Sequence, residues 1–187
     1  MTKNKIIKSF CGSEKEKEKA IKYLLSNKEE LRNNGIFINE NADNGTVFAC
    51  GKAKVFAHGN AMVLARDHAK VFAYDNSEVE AYDHAEVYAH NDAMVEANDN
   101  ARVYADDHAR VKAYEYVMVE AFDNASVSAY NIAEVYAHNN AKVEANDNSY
   151  IYSYYLKEYK LKDNAIYRVM ATNTIYYSND EMKFEKQ

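Results

Sequence analysis

All six histidines of the 187-residue chain lie between residues 58 and 138, as His58, His68, His84, His90, His108 and His138. Imidazole titrates near neutral pH and is a common metal ligand. The interval from His68 to His84 recurs below and would let the pair share one ion. No carboxylate stands at metal spacing from the other histidines. Pairs such as Asp-Asn and Asn-Asn punctuate the same region and carry the oxygen atoms that calcium prefers. Calcium-binding β-rolls, however, use a Gly-rich nonapeptide, and no glycine follows Gly59. Cys11 and Cys50 show no CxxC or Cys/His spacing, so they are expected as unpaired thiols in a reducing compartment. The chain has no GxSxG, no HExxH and no Gly-rich phosphate loop. These features predict no enzyme, no cofactor and no resident metal.

Charge narrows the choice of partner. The net charge is −6, but residues 53–148 hold 17 acidic and 7 basic side chains. The middle of the chain is therefore at −10. Its acidic side chains include Glu78, Glu80, Glu96, Asp106 and Asp107. Phosphate backbones demand clustered Lys and Arg, so direct binding to nucleic acid is not expected. An acidic rod could instead occupy the basic groove of another protein, as a DNA mimic does. Lys54, Lys70, Arg102 and Arg110 interrupt that acidity. "MTKNKIIKSF" lacks the apolar run of a signal peptide, and no segment approaches a membrane span. The expectation is a soluble, cytoplasmic protein without membrane contact.

What positions these side chains is a repeat. "AHNDAMVEANDN" at residues 89–100 returns as "AHNNAKVEANDN" at 137–148. Residues 53–148 divide into twelve octads without an insertion. Val fills the third position every time and Ala the fifth. Ala fills the first except at Ser77 and Val117, and Asp or Asn the seventh except at Gly59 and Glu115. Alternation of small apolar and variable residues is the period of a strand with one buried face. Asp and Asn in pairs are turn residues.

One octad cannot close a coil, but two can. The fourth position decides how many are used. Every second octad carries Phe56, Phe72, Tyr88, Tyr104, Glu120, Tyr136 and then Tyr152. The octads between carry Leu64, Glu80, Glu96, Lys112, Ser128 and Glu144. A triangular coil of three octads would mix the two sets. The sequence therefore predicts an all-β fold, a parallel β-solenoid with two octads per coil and roughly seven coils. Residues 45–156 form the solenoid. Residues 1–44 form an N-terminal cap with a helix over about 14–33, opened by a Ser13/Glu16 capping box and stopped at Gly35. Residues 157–187 form an irregular C-terminal β cap and a polar tail, "EMKFEKQ". Open coil ends need such covers.

The octads resemble the Ala-x-Val-x-Ala-x-Asp/Gly-x octapeptide-repeat proteins of bacteria and their phages, over about half the chain. The resemblance implies the solenoid and carries no activity or site residue with it. The two-octad coil with an aromatic stripe is also similar to bacterial ice-nucleation proteins. Those present Thr-rich faces, and Thr is absent from the repeat here, so ice binding is not expected.

The aromatic row at position four points away from the Ala-Val-Ala core. A row of exposed rings is an interface signal. The expected function is a binding or scaffold protein that pairs with a second copy, or with another protein, through Phe56, Phe72, Tyr88, Tyr104, Tyr136 and Tyr152. The alternatives are an acidic inhibitor of a host protein, and an adhesin or carbohydrate binder that uses the Tyr rows.

Overall fold

The computed structural model describes residues 1–155, 157, 159–178 and 184–186. It is a β-solenoid of about eight turns. Strands alternate between two sheets, one of nine strands and one of ten among the described residues. Every octad contributes one four-residue strand, from Lys54–Ala57 to Lys142–Ala145. Pairing is parallel and in register between every second octad, so that Val55 meets Val71, Phe56 meets Phe72 and Ala57 meets Ala73.

The core is as uniform as the sequence. Position-one, position-three and position-five side chains form one cluster along the whole rod, and its Val and Ala members are almost fully buried. Small side chains allow the two sheets to approach closely, and no larger residue is needed until the ends.

The seventh position explains why Asp and Asn recur there. Every one of these residues from Asp67 to Asp147 has φ between 48° and 62°, the left-handed region that Asn and Asp tolerate best after glycine. Gly59 takes the same place at 58°. The side chains also form a ladder. An Asp67 oxygen accepts the Gly51 N–H at 2.9 Å, an Asp83 oxygen accepts the Asp67 N–H at 3.1 Å, and an Asp99 oxygen accepts the Asp83 N–H at 2.9 Å. Glycine could adopt this φ but could not extend the ladder.

The N-terminal cap differs from the single helix expected over 14–33. It contains three helices: α1 (Lys3–Phe10), α2 (Glu14–Ser26) and α3 (Lys28–Arg32). The capping box is present, with Ser13 N–H and Oγ both donating to Glu16 Oε2. The break falls at Asn27, whose φ of −122° leaves the helical range and whose Nδ2 donates to the Tyr23 carbonyl. Gly35, at φ 68°, ends the unit as expected.

The helices do more than cover an end. Ile6, Phe10, Ala20 and Leu24 pack on Phe48 and Leu64, which occupy position four and point outward from the solenoid core. Phe10 meets Phe48 edge to face at 5.0 Å. The cap therefore lies against the outer face of the nine-stranded sheet at its first coils.

At the other end the coil register runs one step beyond the octads. Ile166–Val169 pairs in parallel with Tyr150–Ser153. An antiparallel hairpin follows, Thr174–Tyr177 and then Phe184–Lys186. The tail expected to be polar or frayed thus forms a strand over Phe184–Lys186, and its remaining residues lie outside the described ones. Tyr159, Tyr167 and Tyr176 are buried here where Ala and Val filled earlier coils. These rings plug the last coil.

Candidate functional site

The ten-stranded sheet carries the aromatic row on its outer face. Phe56, Phe72, Tyr88 and Tyr104 stack at 4.8–4.9 Å between centroids with planes within 18°. Tyr136 and Tyr152 stack at 4.9 Å beyond. The spacing is that of the strands, so in-register pairing alone builds the ladder. All six expected residues are brought together in one row, in two runs separated by Glu120. Each ring is half-buried; neighbours cover both flat faces inside a run, and one face of Tyr104 and of Tyr136, which border Glu120.

Polar groups finish the row. Lys54 Nζ sits 4.9 Å from the Phe56 centroid and 4.7 Å from that of Phe72, a cation–π position. The Tyr88 hydroxyl donates to Glu86, which also pairs with Lys70 at 2.5 Å. That hydrogen bond, followed by burial, pushes the Tyr88 hydroxyl up to about 12. Burial pushes the Glu86 carboxyl up, and the bonds from Lys70 and Tyr88 more than reverse this, so it lies below its ordinary value.

The outer face of the nine-stranded sheet is different. Beyond the helical cap it holds a groove of about 550 Å³ lined by Glu78, Glu80, Met94, Glu96, Arg110 and Lys112 among others. Met94 is among the exposed large apolar side chains.

The acidic residues do not form one strip. Glu78, Glu80 and Glu96 lie in this groove, next to Arg110 and Lys112. Asp106 and Asp107 lie instead at a corner that leaves the aromatic sheet. The sequence spaced them evenly, but alternate octads face opposite ways.

The histidines also regroup. His68 and His84 stack as parallel rings at 5.3 Å. The expectation that His90 lacks a carboxylate partner is corrected. Its Nδ1 lies 2.8 and 2.9 Å from the two Asp106 oxygens. With Asp107 they form a group, among the described residues, whose ligand atoms all lie within 4.8 Å of one another. One Asp107 oxygen already accepts the Asn91 N–H at 3.1 Å, so the group is tied into the turn ladder. Reading position six in every second octad would have exposed the pair: His58, Tyr74, His90, Asp106, Phe122 and His138 share that corner.

A second polar cluster, missed in the sequence, holds the cap in place. Arg66 is buried, donates from Nη1 to the Phe10 and Gly12 carbonyls at 2.9 Å each, and grips Asp83 through Nε and Nη2. Lys17 is buried too and reaches Asp67 at 2.6 Å and Glu14 at 2.8 Å. Burial pushes the Asp67 and Asp83 carboxyls up, and the bonds from Lys17 and Arg66 respectively bring both below the ordinary range.

Cys11 and Cys50 are free thiols, raised above their usual range by burial. Among the described residues no helix is long and apolar enough to cross a membrane. No protein-family model, no curated protein and no solved structure matches the chain.

Proposed function

We propose that this chain is a non-enzymatic binding or scaffold protein of the cytoplasm, which associates with a second copy of itself through the aromatic row. It would belong with the octapeptide-repeat solenoids that its octads resemble. The observation that carries the reading is the ladder of stacked rings from Phe56 to Tyr104 on the outer face of the ten-stranded sheet. Rings already held by their neighbours lose little freedom when a partner docks, so less of the binding energy is lost to ordering. Their outward edges form one ridge, apolar at Phe56 and Phe72 and carrying hydroxyls at Tyr88 and Tyr104.

Light scattering at low and high salt tests this. The expected result is a dimer that resists salt and weakens at least tenfold in a Tyr88→Ala/Tyr104→Ala double variant. A monomer, or a dimer untouched by the double substitution, overturns it.

A second reading, the acidic inhibitor of a host protein, is favoured by the crowding of Glu78, Glu80 and Glu96 on one face. Arg110 and Lys112 in the next coil shorten that anionic run. A carbohydrate-binding role is disfavoured, because sugars stack on ring faces and most of these faces are used within the ladder.

A further inference from the structure

The aromatic ladder is interrupted at one rung. Tyr104 stacks on Tyr88, and Tyr136 stacks on Tyr152. Between them Glu120 pairs in register with Tyr104 on one side and Tyr136 on the other. Two coil steps of about 4.8 Å set the two rings roughly 9.6 Å apart. Each thus turns one flat face toward a gap one ring thick. A Glu side chain is slimmer than a ring, so it floors the gap without filling it.

The gap is also charged. Glu86 is met by Lys70 and Tyr88, but among the described residues no cation or hydroxyl does the same for Glu120. Arg102, on the strand beside it, acts on Glu86. The negative charge of Glu120 is felt at the Tyr136 hydroxyl, which burial and then Glu134 raise and Glu120 raises further. Met118, half-buried two residues earlier on the same strand, lies on the same outer face.

We propose that Tyr104, Glu120 and Tyr136 form a slot for a guanidinium group, the arginine side chain of a partner protein. Three features select that chemistry. The gap repeats the spacing of a flat group within the ladder. Ring faces attract a cation through their quadrupole. A carboxylate at the base matches the two parallel N–H donors of a guanidinium, whereas an ammonium offers no flat face and no fork. The inference rests on the aromatic row as an interaction face and narrows what that face recognises.

The test is a titration of the full chain with N-acetylarginine amide, followed by the ring signals of 13C-labelled tyrosines, alongside the mass measurement. Saturable shifts are expected at Tyr104 and Tyr136 and not at Tyr88. They should require at least tenfold more ligand in Glu120→Gln, which keeps the gap and removes the charge. They should vanish in Glu120→Tyr, which fills the rung; circular dichroism checks that this variant folds. Shifts unchanged in either variant, or none at all in the wild type, overturn the slot. Tetramethylammonium binding as tightly as the arginine probe overturns the choice of guanidinium. A dimer without the arginine shifts removes the slot and keeps the ridge as an interface; a monomer that shows them does the reverse.

Discussion

The two outer faces of the solenoid share one backbone and one core, yet they use it in opposite ways. On the aromatic face, like sits on like, and Val71, Val87 and Val135 on its strands are 0% exposed. On the charged face Val95 and Val111 show 3% each, and the rows part into a groove. In-register parallel pairing is the reason. It places every side chain beside its equivalent one coil away. Rings gain from that arrangement, while like charges repel. The charged face keeps one like pair, Glu80 beside Glu96, and then changes at each coil through Lys112, Ser128 and Glu144. Uniformity makes a rigid ridge, and enforced variety makes an open groove.

The largest way to break the contrast is to attack what both faces share. Val95→Asp places a carboxylate in a core without a partner and should cost about 4 kcal/mol or more. Neighbouring coils lose their support as well, so a thermal melt should show early loss of several coils. An unchanged melt would mean that the valines do not carry the stack.

A smaller effect concerns the charged face, whose first coils lie under the helical cap. Arg66→Ala leaves Asp83 without its guanidinium, though still bonded to the Asp67 N–H, and frees two carbonyls, at roughly 3 kcal/mol. Hydrogen exchange should rise in α1 and α2 while the aromatic face stays protected; equal loss on both faces would contradict the separation. Acid offers the same cut without mutation. The Asp67 and Asp83 carboxyls titrate lower in the folded state than in the unfolded chain, so their contribution is present above the unfolded value. It is lost as pH falls through the folded values. The cap should loosen below about pH 4, near the unfolded carboxylate value. Loosening already at pH 6 would point to another group.

The smallest effect sharpens the aromatic face. Glu120→Tyr joins the two ring runs and should raise stability by about 1 kcal/mol, the scale of an aromatic pair. A lower melting temperature would show that the rung is not open to a ring.

The repeat made most of this legible in advance. Val at position three and Ala at position five gave the strand and the core. The alternation of position four between neighbouring octads gave the coil length. The left-handed turns followed from Asp and Asn. The cap was less legible, because apolar residues such as Ile21 and Leu24 on one side of a helix do not say which surface they will cover, and Leu25 beside them stays exposed. Phe48 and Leu64 look like ordinary position-four residues until helices are laid upon them. The same holds for Arg66, which reads as a solvated octad side chain and turns out to bind carbonyls of α1 and the turn after it. Contacts between the irregular ends and the regular middle have no period, so periodicity could not reveal them.

The alternation of octads between two sheets also sets a grammar for change in length. Removing two octads would shorten the rod by one coil and leave each row on its own side. Removing one would send every later strand to the opposite sheet, so that Tyr136 and Tyr152 would continue the line of Glu80 and Glu96. Such a rod can grow or shrink only in pairs of octads if its surfaces are to survive, and a single-octad deletion acts on the outside of the molecule as a frameshift acts on a gene.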